Sequence, residues 1–169
     1  MAIPQTVLVV SGPFGAALSA EDVARAIARG LVAGGLGEPD RCPLEVEDPA
    51  QATGAQTTLR AGTERELRTR TVVVPDVAAL LAGLDFDARM RRGRAVLLAE
   101  WRLAEDTLRG SAAFEVATRA RQAGVPAYAV TGENALAPFD ARVLDLQVIV
   151  EARTARALAT AGTKLAQVI

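Results

Sequence analysis

The sequence predicts an α/β domain of Rossmann-like, three-layer form, with a mostly parallel sheet of about six strands covered by helices on both faces. Two observations carry this. Short β-rich runs such as "TVLVVS" and "RAVLLA" alternate with longer Ala-rich segments of helical period, the pattern of strands buried on both faces and joined by crossover helices. Half of the residues (50%) are hydrophobic but only 4% are aromatic, so the core has to be built from Ala, Val and Leu, which suits helices packed closely on a sheet. At 169 residues the chain is long enough for one sizeable core and short for two, so residues 1–169 are read as a single domain.

The expected strands are residues 6–11, 43–47, 71–74, 94–99, 125–131 and 146–150. The first helix starts at Ser19, a good N-cap with Asp22 three residues on, and places Val23, Ile27 and Leu31 on one face before Gly34 and Gly35 end it. A second helical segment, "DVAALLAGLDFDARMRRG", is interrupted between Gly83 and Asp87, and its basic end suits a helix C-terminus. A third spans 111–123 and stops at "GVP", where Gly124 caps and Pro126 cannot continue. The last runs from Thr154 onward. Between Asp48 and Arg70 the polar stretch "DPAQATGAQTTLRAGTERELRTR" shows weak periodicity and reads as a long loop or a short hairpin.

Bulk chemistry excludes several classes. A net charge of −1, from 19 basic and 20 acidic residues, provides no overall field for nucleic acid or an anionic membrane. With no histidine in the chain, histidine triads and histidine-ligated zinc are ruled out. The single cysteine, Cys42, allows no internal disulfide and reads as a small core residue in a reducing compartment. "MAIPQTVLVVSG" lacks a basic leader region, and Gln5, Ser11, Gly12, Pro13 and Gly15 interrupt the apolar opening, so neither a signal peptide nor a membrane-spanning helix is expected. The reading is a cytoplasmic, water-soluble protein.

Three stretches, in order, resemble the bacterial glycerate kinase family. "VSGPFGAALSAEDVARAIARGL" is similar to the family's opening strand, A-P-D-S-F-K-G-S-L-S-A loop and helix: Phe14, Leu18, Ser19 and Ala20 match, as do Val23, Ala24, Ala26, Ile27, Gly30 and Leu31. "FDARMRRGRAVLLAEWRLAEDTLRGS" follows the family's F-D-E-R-L and T-G-E-G-R-L-D-x-Q-T-x-x-G-K, matching at Phe86, Asp87, Arg89, Glu100, Arg102, Leu103, Thr107 and Gly110. "ATRARQAGVPAYAVTG" looks like the helix and strand that come next. The resemblance implies the family's α/β domain and an ancestral transfer of phosphate from ATP to glycerate. Most of the family's second domain has no counterpart here. The family's ionisable positions fall on Gly12, Gly15, Ala104 and Ser111, and its small glycine on Trp101.

In a parallel sheet the loops "GPFG", "EWR" and "TGEN" lie together at the carboxyl edge, where open α/β sheets hold ligands. The candidate ligand-binding set is Gly12, Phe14, Gly15, Ser19, Glu100, Arg102, Thr131, Gly132 and Glu133; no residue is assigned as catalytic or as a metal ligand. Each has a plainer reading beside the functional one. Gly12 and Gly15 let backbone approach an anion at the first helix, or make a tight turn. Alternation sends Glu100 and Arg102 the same way, to hold a hydroxy acid with Arg102 gripping its carboxylate, or to form an ion pair at a strand end. Trp101 caps the sheet edge, Thr131 is a hydroxyl donor, and Glu133 belongs to a site or to a solvated turn. Glu105 and Asp106 are read as first-turn residues of a helix.

Two functions follow from the resemblance and its departures. One is a glycerate-kinase-like domain that has lost phosphoryl transfer and binds a small organic acid, a nucleotide or a protein, with a homodimer or a partner covering the exposed carboxyl edge. The other is a working kinase on a small hydroxy acid, completed by another subunit or chain; ATP and Mg²⁺ enter only under this alternative.

Overall fold

The structure is a computed structural model and describes residues 6–46, 58–61, 71–73, 77–108 and 111–169. Seven strands, β1 (Val7–Ser11), β2 (Asp40–Val46), β3 (Thr58–Ala61), β4 (Thr71–Val73), β5 (Ala95–Leu103), β6 (Ala127–Asn134) and β7 (Leu146–Glu151), form one sheet in the order β4-β3-β2-β1-β5-β6-β7. The five strands β2, β1, β5, β6 and β7 are parallel, whereas β3 and β4 are added antiparallel at one edge. The Asp48–Arg70 stretch therefore contains a strand, β3, that pairs back on β2; the rest of that stretch, and the ends expected at Glu47 and Val74, lie outside the described residues.

Helices α1 (Ala20–Ala33) and α6 (Ala155–Leu165) cover one face of the sheet. On the other lie α2 (Val77–Gly83), α3 (Phe86–Arg92) and α4 (Ala112–Ala123). The two faces divide the alternating side chains of the central strands: Val7, Val9, Leu97 and Ala99 meet Ile27, Leu31 and Leu158, while Leu8, Val10, Val96 and Leu98 meet Phe86, Met90 and Val116. This is the three-layer α/β arrangement that the sequence predicts. Among the described residues no helix is long and apolar enough to cross a membrane.

The helix signals operate as read. Ser19 closes a capping box: its hydroxyl accepts from the Asp22 N–H at 3.1 Å, and the Asp22 carboxylate accepts in return from the Ser19 N–H and hydroxyl. Gly34 ends α1, and Gly124, at φ +68°, ends α4 in the left-handed region that favours glycine. The interrupted segment is two helices that meet at Asp85, itself left-handed at φ 55°. Besides β3, two elements differ from the expected set, one where Glu105 and Asp106 were read as the first turn of a helix. Glu105–Leu108 forms a 3₁₀ turn, and Pro138–Val143 forms the short helix α5 with Pro at its first turn; α5 buries no residue, so it leaves no apolar period in the sequence.

The strand ends differ most. β5 runs to Leu103 and not to residue 99, and β6 spans Ala127–Asn134 and not 125–131, because the two go on pairing through Glu100↔Thr131, Arg102↔Glu133 and Leu103↔Asn134. β2 begins at Asp40, three residues before the expected start, because its partner β1 pairs from Leu8 onward.

Candidate functional site

The strand order reverses direction at β1: β2 lies on one side of it and β5 on the other. Open α/β sheets form a crevice at such a switch point, outside the carboxyl ends of the strands, and this protein has one there. A cavity of ≈ 230 Å³ is lined by Val10, Ser11, Gly12 and Pro13 at the end of β1, by Leu98, Ala99 and Glu100 of β5, by Leu44 of β2, and by Ala112, Ala113 and Val116 of α4.

Among the described residues, Glu100 is the one ionisable side chain lining this cavity. Its carboxylate stands over Gly12, close enough that a Cβ at Gly12 would lie 3.7 Å from both oxygens. Burial pushes the Glu100 carboxyl up from 4.5 to about 7, against the opposing pull of the Trp101 backbone N–H. No ion pair to Glu100 is formed among the described residues. The cavity thus holds a carboxyl that is half protonated near neutral pH, between apolar walls. Ala112 and Ala113, the first residues of α4, line the same cavity, and Ser111 caps that helix by accepting from the Phe114 N–H at 3.1 Å. The N–H groups of Ala112 and Ala113 precede the intrahelical ladder and are donors at the positive end of the helix.

The structure brings Gly12 and Glu100 into one place and distributes the other candidates around it. Arg102 does share the Glu100 side of β5, but it lies in a separate open depression with Ala104, Glu105, Asp106 and Ala135. There its guanidinium faces Glu133 at 3.4 Å and Asp106 at 3.6 Å, with its side chain 47% exposed. Its ion pair is therefore made with these two acids and not with Glu100. Asp106 and Glu105 sit in the 3₁₀ turn. Trp101, on the opposite face of β5, meets Phe14 edge to face at 5.6 Å and lies over Gly132, where a Cβ would strike its ring.

Phe14 is buried and pairs with Leu18 across a tight loop that contains Gly15, left-handed at φ +61°. The Ser19 hydroxyl is engaged in the α1 cap. Thr131 is buried, and its hydroxyl donates to the backbone oxygens of Glu133, at 2.9 Å, and Trp101. "EWR" and "TGEN" belong to paired strands and not to loops. Sequence reasoning missed the α4 wall of the cavity. The signal was there: Ser111, read as the replacement of a family lysine, is also the N-cap that aims the start of α4 at the sheet edge.

Other matched motif residues serve the fold. Arg89 grips Asp40 with two hydrogen bonds, at 2.8 and 2.7 Å, and also donates to the Arg41 carbonyl; Asp87 accepts from Arg119. Among the described residues no three His, Cys, Asp or Glu side chains come together to hold a metal ion.

A model described as the glycerate kinase family matches residues 46–168. The match includes β5, β6, α4 and Glu100 and leaves out the β1 loop. No curated protein matches the chain.

Proposed function

Because the chain belongs to the glycerate kinase family, we propose that its α/β domain keeps a ligand cavity at the sheet switch point but does not carry out phosphoryl transfer alone, and serves as a binding module for a small organic acid. One observation carries the reading: among the described residues, the cavity is lined by Glu100, the start of α4 and apolar walls, with no cationic side chain. Phosphoryl transfer is almost wholly positioning and charge stabilisation, so it depends on cations around the transferred group. Losing one preorganised electrostatic donor typically costs ~10²–10³ in rate. The family resemblance puts ionisable residues where this chain has Gly12, Gly15, Ala104 and Ser111.

In the proposed site the acid's carboxylate meets the N–H groups at the start of α4 and its hydroxyl meets Glu100, with Gly12 giving room above the carboxyl. The purified protein is expected to show no turnover in a coupled assay with millimolar glycerate, ATP and Mg²⁺. Turnover near ~1 s⁻¹ that is abolished by Arg102→Ala would overturn this and favour a kinase completed by another chain.

A further inference from the structure

Resting on that reading of the cavity, we infer that its ligand is a small 2-hydroxy acid with a branched aliphatic tail in place of a second hydroxyl. The polar features of the lining are Glu100, over Gly12, and the start of α4 at Ala112 and Ala113, where a helix offers unpaired N–H groups. One carboxylate and one adjacent hydroxyl occupy those groups. The remaining walls are Val10, Leu44, Leu98 and Val116, all buried core residues. Ser11, whose side chain carries the hydroxyl among the described lining residues, already donates to the Ala20 carbonyl at 2.7 Å. A hydroxymethyl group directed at these walls would give up its water for no partner among the described residues, a penalty that an isopropyl group escapes. A volume of ≈ 230 Å³ is below the ~300–1,000 Å³ of pockets for drug-sized ligands, which limits the tail to a few carbons.

The test is isothermal titration of the full chain with 2-hydroxy-3-methylbutanoate and with glycerate under identical conditions. The branched acid is expected to bind at least ~10-fold more tightly, the discrimination typical of a methylene or two in an apolar pocket. Equal or tighter glycerate binding overturns the inference and leaves the organic-acid reading standing. Failure of both acids to bind at millimolar concentration overturns that reading and the inference with it. Val116→Thr, which keeps the shape and adds a hydroxyl to the wall, is expected to reduce the preference about threefold or more. An unchanged ratio in a folded Val116→Thr variant also overturns the inference, and if the variant does not fold the wild-type comparison decides alone.

Discussion

Glu100 couples stability to pH with a definite sign. Its carboxyl is raised from 4.5 to about 7 in the folded protein, so between those values the folded state keeps a proton that the unfolded state releases. Stability is full below about pH 4.5, falls as pH rises toward 7 and levels off above it. The gap converts to about 3 kcal/mol at most. Glu100→Gln is expected to flatten this fall, and its advantage over wild type in urea unfolding should grow from pH 4.5 to pH 8; parallel pH profiles would refute the assignment. Arg89 poses the opposite case. Arg89 is 9% exposed, and the hydrogen bonds its guanidinium donates to Asp40 hold it firmly charged. Arg89→Met should destabilise by about 2 kcal/mol, because Asp40 loses its two-pronged partner but stays partly solvated; the check is the urea midpoint at constant slope.

At the scale of elements, α1 and α6 pack with almost no side chain between them at one point. A Cβ at Gly30 would run into the Ala159 carbonyl, and one at Gly162 would lie 2.5 Å from the Ile27 carbonyl. The approach is close enough for the Thr163 hydroxyl to donate to the Gly30 carbonyl at 3.1 Å. Alanine favours an isolated helix over glycine by ~1 kcal/mol, yet Gly30→Ala is expected to lower stability by about 2 kcal/mol, since overpacking dominates when the obstacle is backbone. Thermal unfolding decides between the two signs. Ser111→Ala removes the α4 cap and should cost about 1 kcal/mol; if the α4 N–H groups hold the ligand, it should also weaken binding through fraying at that end. The Ser19 cap of α1 and the Gly124 cap of α4 were legible because each is local to a few residues, whereas Ser111 was not read as a cap. The true ends of β5 and β6 were not, because they depend on pairing between segments some thirty residues apart.

At the scale of the molecule, one sheet separates two apolar clusters, and β1 and β5 supply alternate side chains to both. Neither cluster can be lost while the other persists, so the domain should unfold in a single transition. Leu97→Ala and Leu98→Ala point to opposite faces and are each fully or almost fully buried. Both are expected to cost about 2–5 kcal/mol, and far-UV circular dichroism and Trp101 fluorescence should report coincident midpoints in each variant. Separated midpoints would indicate that the two layers melt independently. The same two strands carry the cavity, so ligand binding should raise the single transition as a whole, by about 2.7 kcal/mol at a hundred times the dissociation constant.

The alternation of apolar runs with Ala-rich helical segments determined the α/β class, the parallel core and the helix caps, since these follow from period and local hydrogen bonding. Motif order pointed to the family, and the substitutions at Gly12, Gly15, Ala104 and Ser111 were visible without coordinates. Tertiary structure alone decided how the candidates divide. Alternation sent Glu100 and Arg102 to the same side of β5, yet one stands in an apolar cavity under α4 and the other in an open acidic depression. Which of the two each side chain meets depends on what packs around its position: Glu100 is partly buried in the cavity that the start of α4 also lines, whereas Arg102 lies in the open beside Glu133 and Asp106. Burial is a property of the assembled layers, and it is burial that raises the Glu100 carboxyl to about 7.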